Sequence, residues 1–188
     1  KKDIFAKLDG ILGDGAILAS NTSSIPLTRI GSATKRPERV VGMHFFNPAP
    51  IMPLVEIIST VVSDRTVVDE VAKFAAETLG KTVVHAGDRA GFIVNMLLVP
   101  YAIDAMRMYE SGFASKEDID AGMVNGAGYP MGPLALSDLI GLDTMLFVAE
   151  SLFEEFREPR YAPPPLLRRM VEAGLLGRKS GKGFYDYT

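Results

Sequence analysis

The spacing of apolar residues divides the chain into two parts. In the first part, short apolar runs typical of buried strands alternate with apolar residues at helical spacing. The predicted strands cover residues 16–19, 40–46, 54–58 and 83–84. The predicted helices cover residues 4–12 and 67–79, and each is followed by a glycine, as helix ends often are. Strands that alternate with helices in this way are typical of an α/β domain.

The pattern after Asp88 is almost purely helical. Helices are predicted at residues 91–109, 134–156 and 165–173. Another helix is predicted after Ser115, because Ser115-Lys116-Glu117-Asp118 resembles a capping box with Ser115 as the N-cap. We therefore expect two domains, an α/β domain at residues 1–88 and an all-α domain at residues 89–188.

The predicted α/β domain lacks a feature that nucleotide-binding domains of this class carry. Such domains have a glycine fingerprint, Gly-x-Gly-x-x-Gly, at the turn after their first strand. No such motif follows a strand in this sequence, and the domain starts in mid-helix. Either the domain is of another kind or its first half lies outside this chain.

Composition excludes several classes of function. The chain has 188 residues, a net charge of -3 and no cysteine, so neither a disulfide framework nor thiolate chemistry is available. No basic cluster points to nucleic acid or an anionic membrane as the main partner. The longest apolar stretch, residues 92–103, is shorter than the roughly 20 residues that a membrane span needs. We expect a soluble, cytoplasmic protein.

Only two histidines occur, and His44 is the stronger candidate for chemistry. It ends an apolar strand, where an α/β sheet exposes its carboxyl edge and gathers its sites. Glu56 lies in the next predicted strand among aliphatic residues, and a carboxylate there needs a partner. If the strands bring the two together, Glu56 would fix the imidazole tautomer and make His44 a general base near neutral pH. Spacing alone leaves open a structural histidine and a glutamate at a strand edge.

Other polar groups carry weaker signals. Ser20-Asn21-Thr22-Ser23-Ser24 ends a strand at the same presumed edge, but such residues also favour loops and helix N-caps. Asn95 interrupts an apolar helix and needs a hydrogen bond if it is buried, with backbone, another subunit or substrate left open as its partner. The glycine-rich residues 177–183 do not fit the phosphate-loop pattern, and we expect a solvated turn there. His85 is expected at the surface.

Taken together, these segments resemble the 3-hydroxyacyl-CoA dehydrogenase family, which includes the 3-hydroxybutyryl-CoA dehydrogenases. Seven matching stretches occur in the family's order and span nearly the whole chain. They are Ser20-Asn21-Thr22-Ser23-Ser24, His44-Phe45-Phe46-Asn47-Pro48, Leu54-Val55-Glu56, Gly91-Phe92-Ile93-Val94-Asn95, Ser115-Lys116-Glu117-Asp118-Ile119-Asp120, Gly128-Tyr129-Pro130-Met131-Gly132-Pro133 and Gly181-Lys182-Gly183-Phe184-Tyr185.

The resemblance implies a fold and a cofactor. Residues 1–88 would be the second part of a Rossmann-like NAD-binding domain, with the glycine fingerprint in a preceding segment. Residues 89–188 would be a helical C-terminal domain that forms a homodimer. NAD is the implied cofactor, with NADP left open, because the acidic residue that distinguishes the two would also precede this chain. No metal is implied.

The resemblance also implies the reaction and the role of each site residue. The reaction is the reversible oxidation of a (3S)-3-hydroxyacyl-CoA to a 3-oxoacyl-CoA, as in fatty-acid β-oxidation or butanoate metabolism. His44 would be the general base, Glu56 its electrostatic partner, and Ser23 and Asn95 would complete the catalytic set. The residues that resemble cofactor contacts are Ser23, Asn47, Lys179 and Lys1.

Three alternatives remain open. The chain by itself could be a catalytically incomplete helical assembly fragment, because it lacks the glycine fingerprint. It could belong to a sister enzyme that oxidises a sugar acid such as L-gulonate with the same constellation of residues. It could also be part of a fusion with an enoyl-CoA hydratase. Acyl chain length preference does not follow from the residues.

Overall fold

The computed structural model describes residues 1–23 and 25–188, and their contacts form two compact units, Lys1–Ile93 and Val94–Thr188. The first unit is a four-stranded mixed sheet with the order β1-β2-β3-β4. Its strands are β1 (Leu18–Ser20), β2 (Val40–Phe45), β3 (Leu54–Ser59) and β4 (Thr82–Gly87). Its α-helices are α1 (Lys2–Ile11), α2 (Leu27–Gly31) and α3 (Arg65–Lys73), and α3 continues into a π-helical turn at Phe74–Thr78. The α/β class predicted for this part of the chain is confirmed.

The two faces of the sheet bury different side chains, because successive residues of a strand point to opposite faces. Val41 and Met43 of β2 pack with Val67 and Val71 of α3 on one face. On the other face, Val40 of β2 packs with apolar side chains from α1, α2 and the turn before the second unit. Each fully buried aliphatic side chain contributes about 1.5–3 kcal/mol to stability. Both faces are therefore covered, as in other α/β sheets.

The second unit contains only helices and turns as regular elements. Its α-helices are α4 (Val94–Glu110), α5 (Lys116–Ala127), α6 (Pro133–Ile140), α7 (Leu142–Phe156) and α8 (Pro165–Glu172). The predicted N-cap is confirmed, since the Ser115 hydroxyl accepts a hydrogen bond from the Asp118 N–H at 3.1 Å. The core contains the fully buried side chains of Met106, Leu134 and Leu152. None of the described helices is long and apolar enough to cross a membrane.

Two predicted helices differ from those in the structure. The helix expected over residues 134–156 is two helices, because Gly141 between them has a φ of +102°, which no helix accommodates. The helix expected to start at Gly91 begins at Val94 instead. Its first predicted residues form a turn in which Gly91 and Phe92 have φ angles of +78° and +49°. Apolar spacing does not reveal such left-handed backbone.

Residues 177–183 form a turn, as predicted, but contacts with the rest of the second unit hold this turn in place. It contains a 3₁₀ turn at Arg178–Ser180. A Cβ on Gly177 would lie 2.3 Å from the Asp138 carbonyl oxygen, so only glycine fits this close approach. The buried Asp138 carboxylate accepts hydrogen bonds from the N–H groups of Phe184 and Tyr185, both at 2.9 Å. These contacts fix the C-terminal segment against the helices.

Candidate functional site

His44 and Glu56 form a buried pair at the end of the sheet. They are direct partners in the antiparallel register of β2 and β3, so both side chains point to the same face. His44 Nδ1 lies 2.6 Å from Glu56 Oε2, and the two residues are 4% and 0% exposed. Because β3 runs antiparallel to β2, a residue near the start of β3 meets one near the end of β2. The sequence left open whether His44 and Glu56 contact each other, and in the structure they do.

The surroundings of the pair hold both side chains in place. The Ile93 N–H donates to the second oxygen of Glu56, Oε1, at 3.0 Å. The His44 ring contacts two phenylalanine rings, with centroids 4.8 Å away for Phe46 and 5.3 Å away for Phe92. An ionised carboxylate only accepts hydrogen bonds. A proton on Nδ1 therefore donates to Glu56, and the lone pair of Nε2 is left as the proton acceptor.

The polar run after β1 lies at the same edge of the sheet. β1 and β2 are parallel, with Ser20 paired to Gly42, so both strands end on the side where His44 lies. Asn21 Oδ1 accepts a hydrogen bond from the Phe45 N–H at 3.0 Å. Thr22 is 2% exposed, and its hydroxyl accepts from the Ile25 N–H at 3.1 Å. Ser23, a predicted site residue, is half-buried in this loop, whereas Ser24 lies outside the described residues.

Two of the predicted cofactor contacts are exposed residues of the first unit. Asn47 follows β2 at the edge where His44 lies, and it is bonded to Pro48 through a cis peptide. Lys1 is the residue before α1 and is also exposed. Of the predicted set, the first unit therefore brings His44 and Glu56 into contact and places Ser23 and Asn47 in the loops after the neighbouring strands β1 and β2.

The second unit carries the other two predicted residues. Asn95 is half-buried in the first turn of α4. Lys179 is exposed, and its ammonium forms an ion pair with the Asp143 carboxylate at the start of α7. This hydrogen-bonded lysine holds the pKa of Asp143 below its usual value. Among residues 1–23 and 25–188, no cluster of three or more His, Asp or Glu side chains could hold a metal ion.

Sequence reasoning did not identify two residues that shape the site. Asn21 has no role of its own among the predicted site residues, although its side chain joins the loop of Ser23 to the residue after His44. Asp88 was noted only as the end of the α/β part, yet its carboxylate accepts hydrogen bonds from the N–H groups of Leu27 and Thr28. The partners of Asp88 are 60 and 61 residues away in sequence, so no local pattern could have revealed them.

Two family models match nearly the whole chain. Residues 1–89 match "3-hydroxyacyl-CoA dehydrogenase, NAD binding domain", and residues 91–187 match "3-hydroxyacyl-CoA dehydrogenase, C-terminal domain". A 3-hydroxybutyryl-CoA dehydrogenase of Mycobacterium tuberculosis is 57% identical over all 188 residues. The chain covers 66% of that relative, which is just under two thirds of its length.

Solved structures show the same likeness. The crystal structure of FadB2 of M. tuberculosis matches with a TM-score of 0.97 and 57% identity, over 100% of this chain and 66% of that one. The structure of (S)-3-hydroxybutyryl-CoA dehydrogenase PaaH1 from Ralstonia eutropha matches with a TM-score of 0.94 and 47% identity, over 99% of this chain and 65% of that one. The predicted fold class and family are confirmed: the chain belongs to the 3-hydroxyacyl-CoA dehydrogenase family.

Proposed function

We propose that the protein is an oxidoreductase that catalyses the reversible NAD-dependent oxidation of a (3S)-3-hydroxyacyl-CoA to a 3-oxoacyl-CoA. One observation carries the proposal. A buried histidine is held in one tautomer by a fully buried glutamate, with Nδ1 and Oε2 2.6 Å apart. This arrangement gives a general base whose orientation is fixed before the substrate arrives.

His44 moves the proton of the reaction. In the oxidation direction, Nε2 takes the proton of the 3-hydroxyl group as C3 loses its hydride and the carbonyl forms. In the reverse direction, the imidazolium returns that proton to the developing alkoxide. Glu56 stabilises the imidazolium electrostatically, since it accepts the Nδ1–H hydrogen bond in both states. Ser23 and Asn95 are proposed to bind and orient the substrate through their hydroxyl and amide groups.

The polar groups at the end of the sheet fit one end of a nicotinamide cofactor. Ser23 and Asn47 follow the parallel strands β1 and β2 at their carboxyl edge, where α/β sheets bind such ligands. Their hydroxyl and amide groups suit a ribose or a carboxamide, and Lys1 and Lys179 are proposed as further contacts. When bound, NAD supplies the acceptor for the C3 hydride. The glycine fingerprint that would hold its phosphates is not in this sequence.

The substrate class, domain roles and assembly are part of the proposal. The names of the relatives favour a short 3-hydroxyacyl-CoA and the S configuration, in fatty-acid β-oxidation or butanoate metabolism. Residues 1–88 are proposed as the second part of the NAD-binding domain and 89–188 as the helical domain. Large exposed apolar side chains of the second unit, such as Leu97, Phe113 and Phe147, support a homodimer through that domain. We also propose a cytoplasmic location for the protein.

The test is His44→Gln in the full-length protein, assayed for NADH formation from (3S)-3-hydroxybutyryl-CoA. Loss of a general base lowers kcat by about 10²–10⁴-fold. His85→Gln is the matched control, because His85 is exposed on β4 and has no proposed role. Near-normal kcat in His44→Gln would overturn the assignment of the base. A wild-type protein that oxidises L-gulonate and not the acyl-CoA would favour the sugar-acid alternative.

A separate measurement addresses the alternative that this chain by itself is an incomplete enzyme. Calorimetric titration of the 188-residue chain with NAD is expected to show weak binding, because the fingerprint that cradles the phosphates is not part of it. Tight binding of NAD would contradict the view that these 188 residues form an incomplete cofactor site.

A further inference from the structure

The helix α2 begins without a capping side chain of its own. Its N-cap is Pro26, which carries no side-chain oxygen, and no side-chain capping hydrogen bond is made from that position. The first N–H groups of a helix need partners from outside the helix. Asp88, at the end of β4, supplies them: Oδ1 and Oδ2 each lie 2.6 Å from one N–H, that of Leu27 and that of Thr28.

This contact holds one end of the loop that contains Ser23. The other end is held by Asn21, whose side chain accepts a hydrogen bond from the Phe45 N–H beside His44. Between them, the Thr22 hydroxyl closes a short turn with the Ile25 N–H. Two contacts, which we call tethers, therefore hold Ser23 in position relative to His44: the hydrogen bonds to Asp88 and the hydrogen bond to Asn21. The Asp88 contact involves a carboxylate, and hydrogen bonds to a charged group are stronger than neutral ones.

The residues that follow Asp88 contact the acid/base pair. The ring of Phe92 lies against the ring of His44, with centroids 5.3 Å apart. The next N–H, that of Ile93, donates to Glu56 Oε1 at 3.0 Å. Phe92 is buried and has a φ of +49°, a left-handed conformation that is unfavourable for a residue with a Cβ. Strained backbone of this kind persists where surrounding contacts hold it, often at functional sites.

We propose that the turn at residues 88–93 is a positioning element, which fixes the loop of Ser23 through Asp88 and the His44–Glu56 pair through Phe92 and Ile93. Asp88 is then a positioning residue of the site. It acts through the loop and does not touch the reacting atoms. The kinetic part of this proposal rests on the proposed dehydrogenase function, whereas the structural part does not.

Asp88→Asn and Asp88→Ala in the full-length protein test the proposal. Asparagine leaves one accepting oxygen and turns an NH₂ group toward the second N–H, and alanine removes both acceptors. The matched control is Asp64→Asn, because Asp64 caps α3 through the Thr66 N–H at 2.8 Å, and α3 packs on the opposite face of the sheet from α2. Both aspartates cap a helix, but only Asp88 is joined to the site.

Two readouts separate the structural part from the kinetic part. Amide hydrogen exchange in peptides covering residues 21–28 is expected to accelerate about tenfold in the Asp88 variants, the effect of losing a cap, and to stay unchanged in Asp64→Asn. Because a misplacement of about 1 Å can cost about 100-fold in rate, kcat for the hydroxyacyl-CoA is expected to fall by about 10- to 100-fold. KM should change by less than about threefold, and Asp64→Asn should keep kcat within about twofold of wild type.

Each result has a defined meaning. Unchanged exchange in residues 21–28 of both Asp88 variants would overturn the tether. Faster exchange with a kcat equal to that of Asp64→Asn would overturn the link between the tether and the chemistry. A wild-type protein without hydroxyacyl-CoA activity would refute the proposed function, and the exchange comparison would still decide whether Asp88 holds the loop.

Discussion

Replacing Glu56 by glutamine changes a single functional group at the centre of the site. In the native protein, one carboxylate oxygen faces His44 Nδ1 at 2.6 Å and the other accepts from the Ile93 N–H at 3.0 Å. Glutamine has one accepting oxygen and one donating NH₂ group, so it cannot satisfy both partners. If its oxygen stays on the Ile93 N–H, its NH₂ group faces His44. Nδ1 must then accept, the proton moves to Nε2, and the base loses the lone pair that takes the substrate proton.

The opposite orientation of the amide is also unfavourable. It preserves the histidine tautomer but places an NH₂ group against the Ile93 N–H, which leaves two buried donors facing each other. An unsatisfied buried donor costs about 1–3 kcal/mol, and Glu56 is fully buried. A fixed wrong tautomer in a serine-protease triad costs about 10⁴-fold in kcat. We therefore expect Glu56→Gln to lower kcat by about 10²–10⁴-fold and the free energy of unfolding by about 1–3 kcal/mol.

The assay combines steady-state kinetics of hydroxyacyl-CoA oxidation with urea denaturation of the same full-length samples. Glu77→Gln is the control, since Glu77 is exposed in the π-helical turn and far along the chain from the pair. A Glu56→Gln protein that stays folded and keeps kcat within about threefold of wild type would refute the tautomer argument. A fall in activity matched by an equal fraction of unfolded protein would refute it as well.

Two further changes test the packing of the first unit and its response to pH. A Cβ on Gly42 would lie 2.7 Å from the Cβ of the fully buried Ile58. Gly42→Ala should therefore lower the free energy of unfolding, measured by urea denaturation, by about 1–3 kcal/mol. Unchanged stability would contradict this close packing. The Lys35 N–H and the Arg36 guanidinium hold the pKa of Asp9 below its usual value. In the unfolded chain the pKa of Asp9 is about 3.9, and in the folded protein it is lower. Ionised Asp9 therefore stabilises the folded protein above the unfolded-state pKa, and this stabilisation is lost as the pH falls through the folded-state pKa. The Tm of wild type should therefore fall more steeply below about pH 4 than that of Asp9→Asn, and parallel curves of Tm against pH would show that Asp9 contributes nothing.

Much of the secondary structure follows from the spacing of apolar residues. The strands at Val40–Phe45 and Leu54–Ser59 end within one residue of their predicted bounds, and the helix predicted after Ser115 begins at Lys116. Backbone with positive φ was missed where the local sequence is apolar. Gly141 divides α6 from α7, and the turn at Gly91 and Phe92 delays the start of α4. A single left-handed residue ends a helix without disturbing the apolar pattern on either side of it.

The sequence by itself determined the fold class, the family and the two residues most suited to acid/base chemistry, because strand ends, apolar spacing and ordered motifs are local properties. It did not determine that His44 and Glu56 meet, since this requires β3 to run antiparallel to β2 with one particular register. It also did not reveal the tether from Asp88 to Leu27 and Thr28, which joins residues about 60 positions apart. Contacts between distant segments depend on how strands pair and how helices dock, and only the tertiary structure decides those.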